Sequence, residues 1–424
     1  MAERPAALRI TGGRKLRGKI TVSGSKNSAL PCLFASLLTD GQCQWRRVPR
    51  LSDVETALAI LQRLGKSIDW RAGTLSAGKA ARSGTLNPDQ ARSMRASILA
   101  LGPLLAIGKK VILPLPGGCD IGSRPIAVHL AGLEKLGVTI CISGGFVKAA
   151  PPKRLRAAHI VLDAPSVTGT ENLIMAATLA RGNTVIENCA CEPEIVDLSR
   201  MLEAMGARIE GAGTATVTIE GVTALGGCRH LIMADRIEAG TYLAAVAAAG
   251  GSVELLKADA SVLGAFLAKL EEMGVAIEAK PGSIRAKASG RPIATGFETA
   301  PYPGFPTDLQ AQLMAVNCIA RGKAAIVERI FERRFRHADE LALLGADIRL
   351  RGNQALVTGA AKLQGARTEA TDLRASASLV IAALAASGDT VIGGLHHLER
   401  GYEQLPRKLR SIGAQIRRVR LPYC

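Results

Sequence analysis

Two interleaved series of glycines divide the chain into six units of about 70 residues. In the first series an apolar residue and a glycine close an amphipathic segment, at intervals of 72, 69, 68, 71 and 68 residues. These glycines are Gly65, Gly137, Gly206, Gly274, Gly345 and Gly413. A short alternating run follows each of them, which is typical of a helix that ends and a strand that begins. The regular spacing predicts a repeat architecture.

The second series closes six Ala-rich segments, at intervals of 67, 74, 68, 72 and 66 residues. Its glycines are Gly41, Gly108, Gly182, Gly250, Gly322 and Gly388. The segments are apolar nearly all round, so each is predicted to be a helix that is buried on every side. Small side chains let such helices pack closely, in agreement with only 3% aromatic residues. Because six units are too many for one core, the sequence predicts two α/β domains of three repeats each.

The composition excludes several classes of protein. With 48% hydrophobic and 21% charged residues the chain is predicted to be folded rather than disordered. No run of about 20 apolar residues predicts a membrane span, and the N-terminus lacks the apolar run of a secretory signal. Nine scattered cysteines form neither a disulfide framework nor a zinc-binding spacing. We therefore expect a reduced, cytoplasmic protein without a metal.

The net charge of +18 predicts an anionic partner: nucleic acid, a membrane surface or a phosphorylated small molecule. The segment 1–50 alone carries ten Lys and Arg residues against two acidic ones. A nucleic-acid-binding protein is therefore one interpretation. However, the scarcity of aromatic residues, which stack on bases, argues against nucleic acid as a partner.

The Ala-rich helices begin with polar residues, and helix N-termini attract anions. These residues are either the wall of an anion-binding cleft or solvated helix ends. The candidates are Lys26, Asn27, Arg95, Thr170, Glu171, Glu238, Asp308, Asp372 and Arg374.

Three further segments carry possible chemistry. The Pro- and Gly-rich loop 113–125 contains Cys119, which is either a reactive thiol near Arg124 or an inert residue. The segment 328–337 has four arginines, which form either an anion clamp or an exposed basic face. The pair His396 and His397 lacks a third ligand at a suitable spacing, so no metal site is predicted there.

Nine motifs resemble those of the UDP-N-acetylglucosamine 1-carboxyvinyltransferases in the enolpyruvyl transferase family, over essentially the whole chain. The motifs lie at 25–31, 94–97, 116–119, 122–125, 192–197, 305–308, 331–335, 372–377 and 400–403. The resemblance implies a two-domain inside-out α/β barrel with six βαβαββ-type repeats, three per domain. It also implies one domain at 26–233, a second at 1–25 with 234–424, and an active site in the cleft between them.

The implied reaction joins the enolpyruvyl group of phosphoenolpyruvate to the 3′-hydroxyl of UDP-N-acetylglucosamine and releases phosphate, the step that commits this sugar to peptidoglycan. No cofactor is implied. By resemblance, Cys119 donates a proton to carbon 3 of phosphoenolpyruvate and would be alkylated by an epoxide phosphonate such as fosfomycin. Asp308 is the implied base near the sugar hydroxyl, and Lys26 and Arg400 assist catalysis.

The resemblance also assigns the binding residues. Those for phosphoenolpyruvate are Lys26, Asn27, Arg124, Arg334, Arg374 and Arg400. Those for the UDP-sugar are Asn27, Arg95, Arg124, Pro125, Ile126, Ala127, Val128, Ser166, Val167, Thr168, Asp308 and Ile330. Glu332 and Asp372 belong to matching motifs at the same site.

The sequence departs from the family pattern at four positions. Ala127 stands where the family usually has Asp beside the nucleotide base, and Cys191 replaces an expected Arg. Arg333 replaces the usual Asn, and Leu99 lies where some members have Trp. A related enolpyruvyl transferase of specialised metabolism, with another nucleotide or nucleotide sugar as acceptor, therefore remains an alternative. The sequence does not predict the oligomeric state.

Overall fold

A computed structural model describes residues 6–115, 122 and 126–420 of the chain. The contacts divide the described residues into two compact units. The terminal unit contains the residues up to Ser23, Gly122 and those from Ala234 onward. The central unit contains the other described residues between Gly24 and Met233.

The described residues form strands and α-helices in regular alternation. The strands are β1 (Ala6–Thr11), β2 (Leu16–Thr21), β3 (Cys43–Arg46), β4 (Ser67–Arg71), β5 (Thr74–Gly78), β6 (Val111–Pro114), β7 (Thr139–Ser143), β8 (Phe146–Ala150), β9 (His159–Val161), β10 (Asn183–Glu187), β11 (Arg208–Glu210), β12 (Thr216–Glu220), β13 (Arg229–Leu231), β14 (Gly251–Leu256), β15 (Ala276–Lys280), β16 (Ser283–Ala288), β17 (Phe297–Glu298), β18 (Lys323–Val327), β19 (Asp347–Arg351), β20 (Gln354–Thr358), β21 (Arg367–Glu369), β22 (Asp389–Gly393) and β23 (Gln415–Arg420). The helices are α1 (Lys26–Ala35), α2 (Ser52–Leu64), α3 (Pro88–Ser93), α4 (Leu101–Ala106), α5 (Ala127–Lys135), α6 (Val167–Ala177), α7 (Pro193–Ala204), α8 (Arg236–Ala249), α9 (Gly264–Glu272), α10 (Gln310–Asn317), α11 (His337–Leu343), α12 (Leu373–Ala385), α13 (Leu395–Glu399) and α14 (Leu405–Ser411).

Each unit contains three small sheets. In the terminal unit the strand orders are β21-β22-β1-β23, β15-β16-β14-β2 and β17-β18-β20-β19. In the central unit they are β11-β12-β10-β9, β13-β3-β5-β4 and β6-β8-β7, and Thr85 adds a single parallel bridge to Ile112 at the edge of the last sheet. Each sheet combines a parallel pairing, or a single parallel bridge, with antiparallel pairs of strands. The predicted six-repeat α/β fold is therefore confirmed.

Two of the parallel pairings exchange strands between distant parts of the chain. Strand β2 precedes α1 but pairs with β14, and β13 precedes α8 but pairs with β3. Strand β1 lies between β22 and β23 and supplies the strand that the last repeat lacks. The N-terminal residues thus complete sheets that are built mainly from the C-terminal half of the chain.

The helices fall into two groups, as the two glycine series predict. The Ala-rich helices α1, α6, α8 and α12 are almost completely buried, and each unit has its own apolar core around such helices. The glycines of the first series have φ angles between +89° and +113°, a region that other residues avoid. They end the surface helices and turn the chain into the following strands. Among the described residues no helix has the length and hydropathy needed to cross a membrane.

The second Ala-rich segment, 94–108, differs from the single helix that its composition predicts. It forms a 3₁₀-helix (Arg95–Ala100) followed by the short helix α4. Pro103 lies within this segment and has no N–H to donate to the preceding turn, which disfavours a continuous α-helix. A similar 3₁₀-helix (Thr307–Leu309) precedes α10.

Candidate active site

In the terminal unit, the starts of two buried helices meet at Asp308. The Nη2 atom of Arg374 donates a hydrogen bond to Oδ2 of Asp308 at 2.7 Å, and Nη2 of Arg334 donates to Oδ1 at 2.8 Å. The two arginine side chains are only 6% and 5% exposed, whereas that of Asp308 is 28% exposed. Two guanidinium groups therefore face one carboxylate, and this cluster has a net positive charge that suits an anionic ligand.

The two arginines determine the ionisation of Asp308. Burial alone would raise the pKa of this carboxyl, but the charges and hydrogen bonds of Arg374 and Arg334 outweigh burial. The pKa of Asp308 is therefore held well below its usual range. The carboxyl group stays ionised at neutral pH, and it is a weak base as long as both guanidinium groups contact it.

Asp372 fixes the start of α12, where Arg374 lies. Its Oδ1 atom accepts hydrogen bonds from the backbone N–H groups of Arg374, at 2.7 Å, and Ala375, at 3.0 Å. This is the arrangement of an N-terminal helix cap, which explains an acidic residue in this motif. Asp372 thus positions Arg374 by capping the helix.

Glu328, which we did not predict from the sequence, fixes the loop before Arg334. It is buried, and its carboxylate accepts hydrogen bonds from Ile330 N at 2.8 Å and Phe331 N at 3.2 Å. It also accepts a bond from Thr307 Oγ1 at 2.9 Å. One carboxylate therefore joins the start of the 3₁₀-helix that carries Asp308 to the loop of Ile330.

Tyr402, a second residue with no predicted role, lies behind Arg374. Its hydroxyl oxygen is 3.3 Å from Arg374 Nη1, 3.0 Å from Thr241 Oγ1 and 3.2 Å from Gln312 Nε2. A side chain at the neighbouring Gly401 would overlap with Leu373 at the start of α12, so glycine allows this close approach. Arg400, which precedes Gly401 in the sequence, is half-buried.

The structure separates the four arginines of the segment 328–337. Arg334 is buried in the Asp308 cluster, whereas Arg329, Arg333 and Arg336 are exposed, and Arg329 pairs with Glu298. Three of the four arginines thus form an exposed basic face, and an anion-binding role remains a prediction for Arg334 alone. The same segment contains exposed Glu332 and half-buried Ile330.

His337 ends this segment and is buried beside the cluster. Burial and the charge of Arg334 lower its pKa to about 4, although Asp372 acts in the opposite direction. The imidazole is therefore neutral at physiological pH and adds no charge to the cluster.

In the central unit, Lys26 opens helix α1. Its Nζ atom lies 3.0 Å from Oδ2 of Asp53, and the two side chains are only 11% and 8% exposed. Ser25 caps the helix by accepting a hydrogen bond from Ser28 N at 3.3 Å. Asn27 is half-buried in the same turn. Asp53, which was absent from the sequence-based candidates, thus holds the lysine in place.

The helices that carry the other central candidates pack against α1. The 3₁₀-helix that begins at half-buried Arg95 contacts both α1 and α6. Helix α6 begins at Val167 and not at the predicted Thr170, because Ser166 caps it by accepting a hydrogen bond from Gly169 N at 3.2 Å. Glu171, a predicted helix-start residue, consequently lies inside the helix and is buried.

The start of α6 lies beside the start of α5. Thr168 Oγ1 is 3.3 Å from Nε2 of buried His129, and the side chain of Val128 lies against Gly169. The structure thus brings 166–168 and 126–128 together, and their shared role in binding the UDP-sugar stays a prediction. Ile126 is half-buried, and Ala127, the first residue of α5, presents an exposed methyl group.

Three of the predicted site residues, Cys119, Arg124 and Pro125, lie outside the described residues, and their roles stay predictions. The remaining candidates form one set in each unit. The terminal set contains Arg334, Arg374 and Arg400, and the central set contains Lys26 and Arg95. Cationic groups and helix N-termini such as these bind anions.

Comparison with known proteins identifies the family. A family model described as EPSP synthase (3-phosphoshikimate 1-carboxyvinyltransferase) matches residues 10–409. The structure of the enolpyruvyl transferase NikO from Streptomyces tendae is 25% identical, with a TM-score of 0.89, and the match covers 99% of this chain and all of that one. Two structures of EPSP synthase from Acinetobacter baumannii are 20% identical, with TM-scores of 0.75 and 0.74, and cover 98% and 97% of this chain and 100% and 99% of their own. The chain belongs to the EPSP synthase family of enolpyruvyl transferases.

Proposed function

We propose that this enzyme transfers the enolpyruvyl group of phosphoenolpyruvate to the 3′-hydroxyl of UDP-N-acetylglucosamine, the reaction that commits this sugar to peptidoglycan. The observation that carries the proposal is the carboxylate of Asp308 between the guanidinium groups of Arg334 and Arg374. Such a cluster combines a base for a hydroxyl group with ligands for the carboxylate or phosphate of phosphoenolpyruvate. The nine sequence motifs support this acceptor.

In the proposed reaction, the sugar oxygen attacks carbon 2 of phosphoenolpyruvate while carbon 3 takes a proton from Cys119. Asp308 removes the proton of the sugar hydroxyl. The tetrahedral adduct then loses a proton from carbon 3 and expels phosphate, which leaves an enolpyruvyl ether. Atoms balance without a further reactant, because one acceptor and one phosphoenolpyruvate give one ether and one phosphate.

The ion pairs of Asp308 suggest how binding and catalysis are linked. An anionic group of phosphoenolpyruvate that takes hydrogen bonds from Arg334 and Arg374 competes with the Asp308 carboxylate for the same donors. Asp308 then loses the contacts that lower its pKa and becomes a stronger base. Bound phosphoenolpyruvate thus activates the base for the hydroxyl group of the sugar.

In the central unit, the fixed position of the Lys26 ammonium group supports the proposal. Lys26 is held in a buried pair with Asp53 at a helix N-terminus, where the helix dipole adds to its positive charge. By its match to the family motif, Lys26 is a proposed ligand of the phosphate group. Charges that are fixed before the reaction stabilise developing anions at little reorganisation cost.

A second candidate function is enolpyruvyl transfer to another nucleotide or nucleotide sugar. The observation in its favour is Ala127, which offers only a methyl group where the family has a carboxylate beside the base. The similarity to NikO, an enolpyruvyl transferase by its description, is compatible with either acceptor.

An acceptor panel tests the proposal. Phosphate release from phosphoenolpyruvate is measured with UDP-N-acetylglucosamine, its 3′-deoxy analogue, a uridine nucleotide without sugar and shikimate 3-phosphate. We expect release with the first compound alone. Release with the uridine nucleotide would favour the second candidate, and release with the deoxy analogue would contradict transfer to the 3′-hydroxyl.

A further inference from the structure

Three side chains of the central unit, to which the proposed reaction assigns no role, place metal-binding atoms together. The sulfur of Cys32 in α1, a carboxylate oxygen of Asp197 in α7 and a ring nitrogen of His230 in β13 all lie within 4.8 Å of one another. Cys32 is fully buried, Asp197 is 6% exposed and the His230 side chain is 10% exposed. The residues are too far apart in the sequence for any spacing rule to connect them.

One ring nitrogen of His230 is buried and makes no hydrogen bond. This atom is Nε2, and it lies 3.2 Å from Oδ1 of Asp197. Two atoms bound to one tetrahedral zinc ion at about 2.0–2.2 Å are about 3.3–3.6 Å apart. The separation of these two atoms is therefore close to that of two ligands of one ion.

The carboxylate of Asp197 is oriented by its neighbours. Its Oδ2 atom accepts hydrogen bonds from the backbone N–H of Met233, at 3.1 Å, and from the hydroxyl of Ser28. Oδ1 is the oxygen that lies 3.2 Å from Nε2 of His230. Hydrogen bonds that fix a carboxylate in this way are the usual support of a metal ligand.

We propose that Cys32, Asp197 and His230 bind one divalent ion of the zinc class. A set of one thiolate, one imidazole and one carboxylate suits zinc, whereas magnesium and calcium prefer oxygen ligands. Binding converts the Cys32 thiol to a metal-bound thiolate and releases one proton to solvent. The two negative ligands balance the charge of the ion, which makes the buried position acceptable.

The position of the cluster indicates a structural role. The ion would join α1, α7 and β13, three elements of the central unit that are far apart in the sequence. Strand β13 leads to Met233, the last residue of this unit, and α1 begins with Lys26. A ligand that binds only the folded state stabilises it, so metal binding should raise the melting temperature of the protein.

The test uses the full chain after treatment with a chelator, titrated separately with Zn²⁺ and Co²⁺. We expect one ion per chain, a higher melting temperature, and thiolate-to-cobalt charge-transfer absorption with Co²⁺. Cys32→Ala should abolish this absorption, and His230→Gln should weaken binding by about 10- to 100-fold. Cys318→Ala is the matched control, because Cys318 is also a fully buried thiol but lies in the terminal unit.

Two results would overturn the proposal. The first is that the chelator-treated protein, titrated with Co²⁺, shows no thiolate-to-cobalt charge-transfer absorption. The second is that Cys32→Ala binds Co²⁺ with unchanged affinity and spectrum, since another thiol would then be the ligand. If Cys32→Ala does not fold, Asp197→Asn decides, because it preserves the shape of the side chain. This variant should bind Zn²⁺ more weakly, and unchanged binding would contradict the site.

Discussion

Arg374 donates a 2.7 Å hydrogen bond to Asp308, so the proposed base and a proposed anion ligand are paired with each other. Arg334 contacts the other oxygen of the same carboxylate. Substrate binding must therefore exchange partners within this cluster, and variants of Asp308 should affect binding and turnover differently.

Asp308→Asn should separate these two effects. Loss of the base should lower kcat by about 10²- to 10⁴-fold. The KM for phosphoenolpyruvate should stay unchanged or fall, because the carboxylate no longer competes for Arg334 and Arg374. Steady-state kinetics measures both constants, with Asp339→Asn, an exposed residue on α11, as the control. A kcat close to that of the unaltered enzyme would remove Asp308 from the role of base.

Cys119→Ala should abolish turnover if this thiol donates the proton to carbon 3. Cys119→Asp should retain part of the activity, because a carboxylic acid can also donate a proton. An epoxide phosphonate should add one adduct to the intact protein, as measured by mass spectrometry. Cys141→Ser, which removes an exposed free thiol, should still form the adduct. An adduct that disappears in Cys141→Ser and persists in Cys119→Ala would contradict a reactive Cys119.

Tyr402→Phe should destabilise the terminal unit. The change removes a buried hydroxyl that contacts Arg374, Thr241 and Gln312 and leaves these polar groups short of a partner. We expect the free energy of unfolding to fall by about 1–3 kcal/mol in a urea titration. Tyr302→Phe is the control, because its ring lies over Arg236 and phenylalanine preserves that contact. Equal stability of the two variants would mean that the Tyr402 hydroxyl contributes nothing to the free energy of unfolding.

The buried His337 predicts a loss of stability in mild acid. Its pKa is about 4 in the folded protein and 6.5 in the unfolded chain, so between these values only the unfolded chain binds the proton. Stability is fully present above pH 6.5 and falls by about 1.4 kcal/mol per pH unit as the pH drops toward 4. Asp308, with a lowered pKa, contributes stability that is lost only below about pH 3.8.

Urea titrations between pH 7.5 and 4.5, a range of about three units chosen to span this window, measure the effect. His337→Gln should flatten the pH dependence, whereas His159→Gln, at an exposed position, should leave it unchanged. Identical slopes for His337→Gln and the unaltered protein would show that His337 does not cause the loss.

The repeat architecture could be predicted because its signals are local. A glycine with positive φ, such as Gly65, ends a helix by its own conformational freedom, and the periodic recurrence of that signal defines the units. The same local signals misplace the ends of individual helices. The sequence predicts that a helix begins at Thr170. In the structure α6 begins at Val167, because Ser166 provides the cap.

The candidate site could be predicted only in part, because burial and long-range pairing decide its chemistry. The sequence of 328–337 does not show that Arg334 alone is buried beside Asp308 while its three neighbouring arginines are exposed. Glu328 contacts Thr307, which is 21 positions away, and Tyr402 contacts Thr241, which is 161 positions away. Such contacts leave no spacing pattern in a single sequence.

The central claim is the transfer of the enolpyruvyl group to UDP-N-acetylglucosamine, and mass spectrometry of the products tests it most directly. After incubation with phosphoenolpyruvate, the nucleotide sugar should gain the mass of one enolpyruvyl group, with one phosphate released per product molecule. Unchanged UDP-N-acetylglucosamine, together with enolpyruvylation of a different nucleotide under the same conditions, would contradict it.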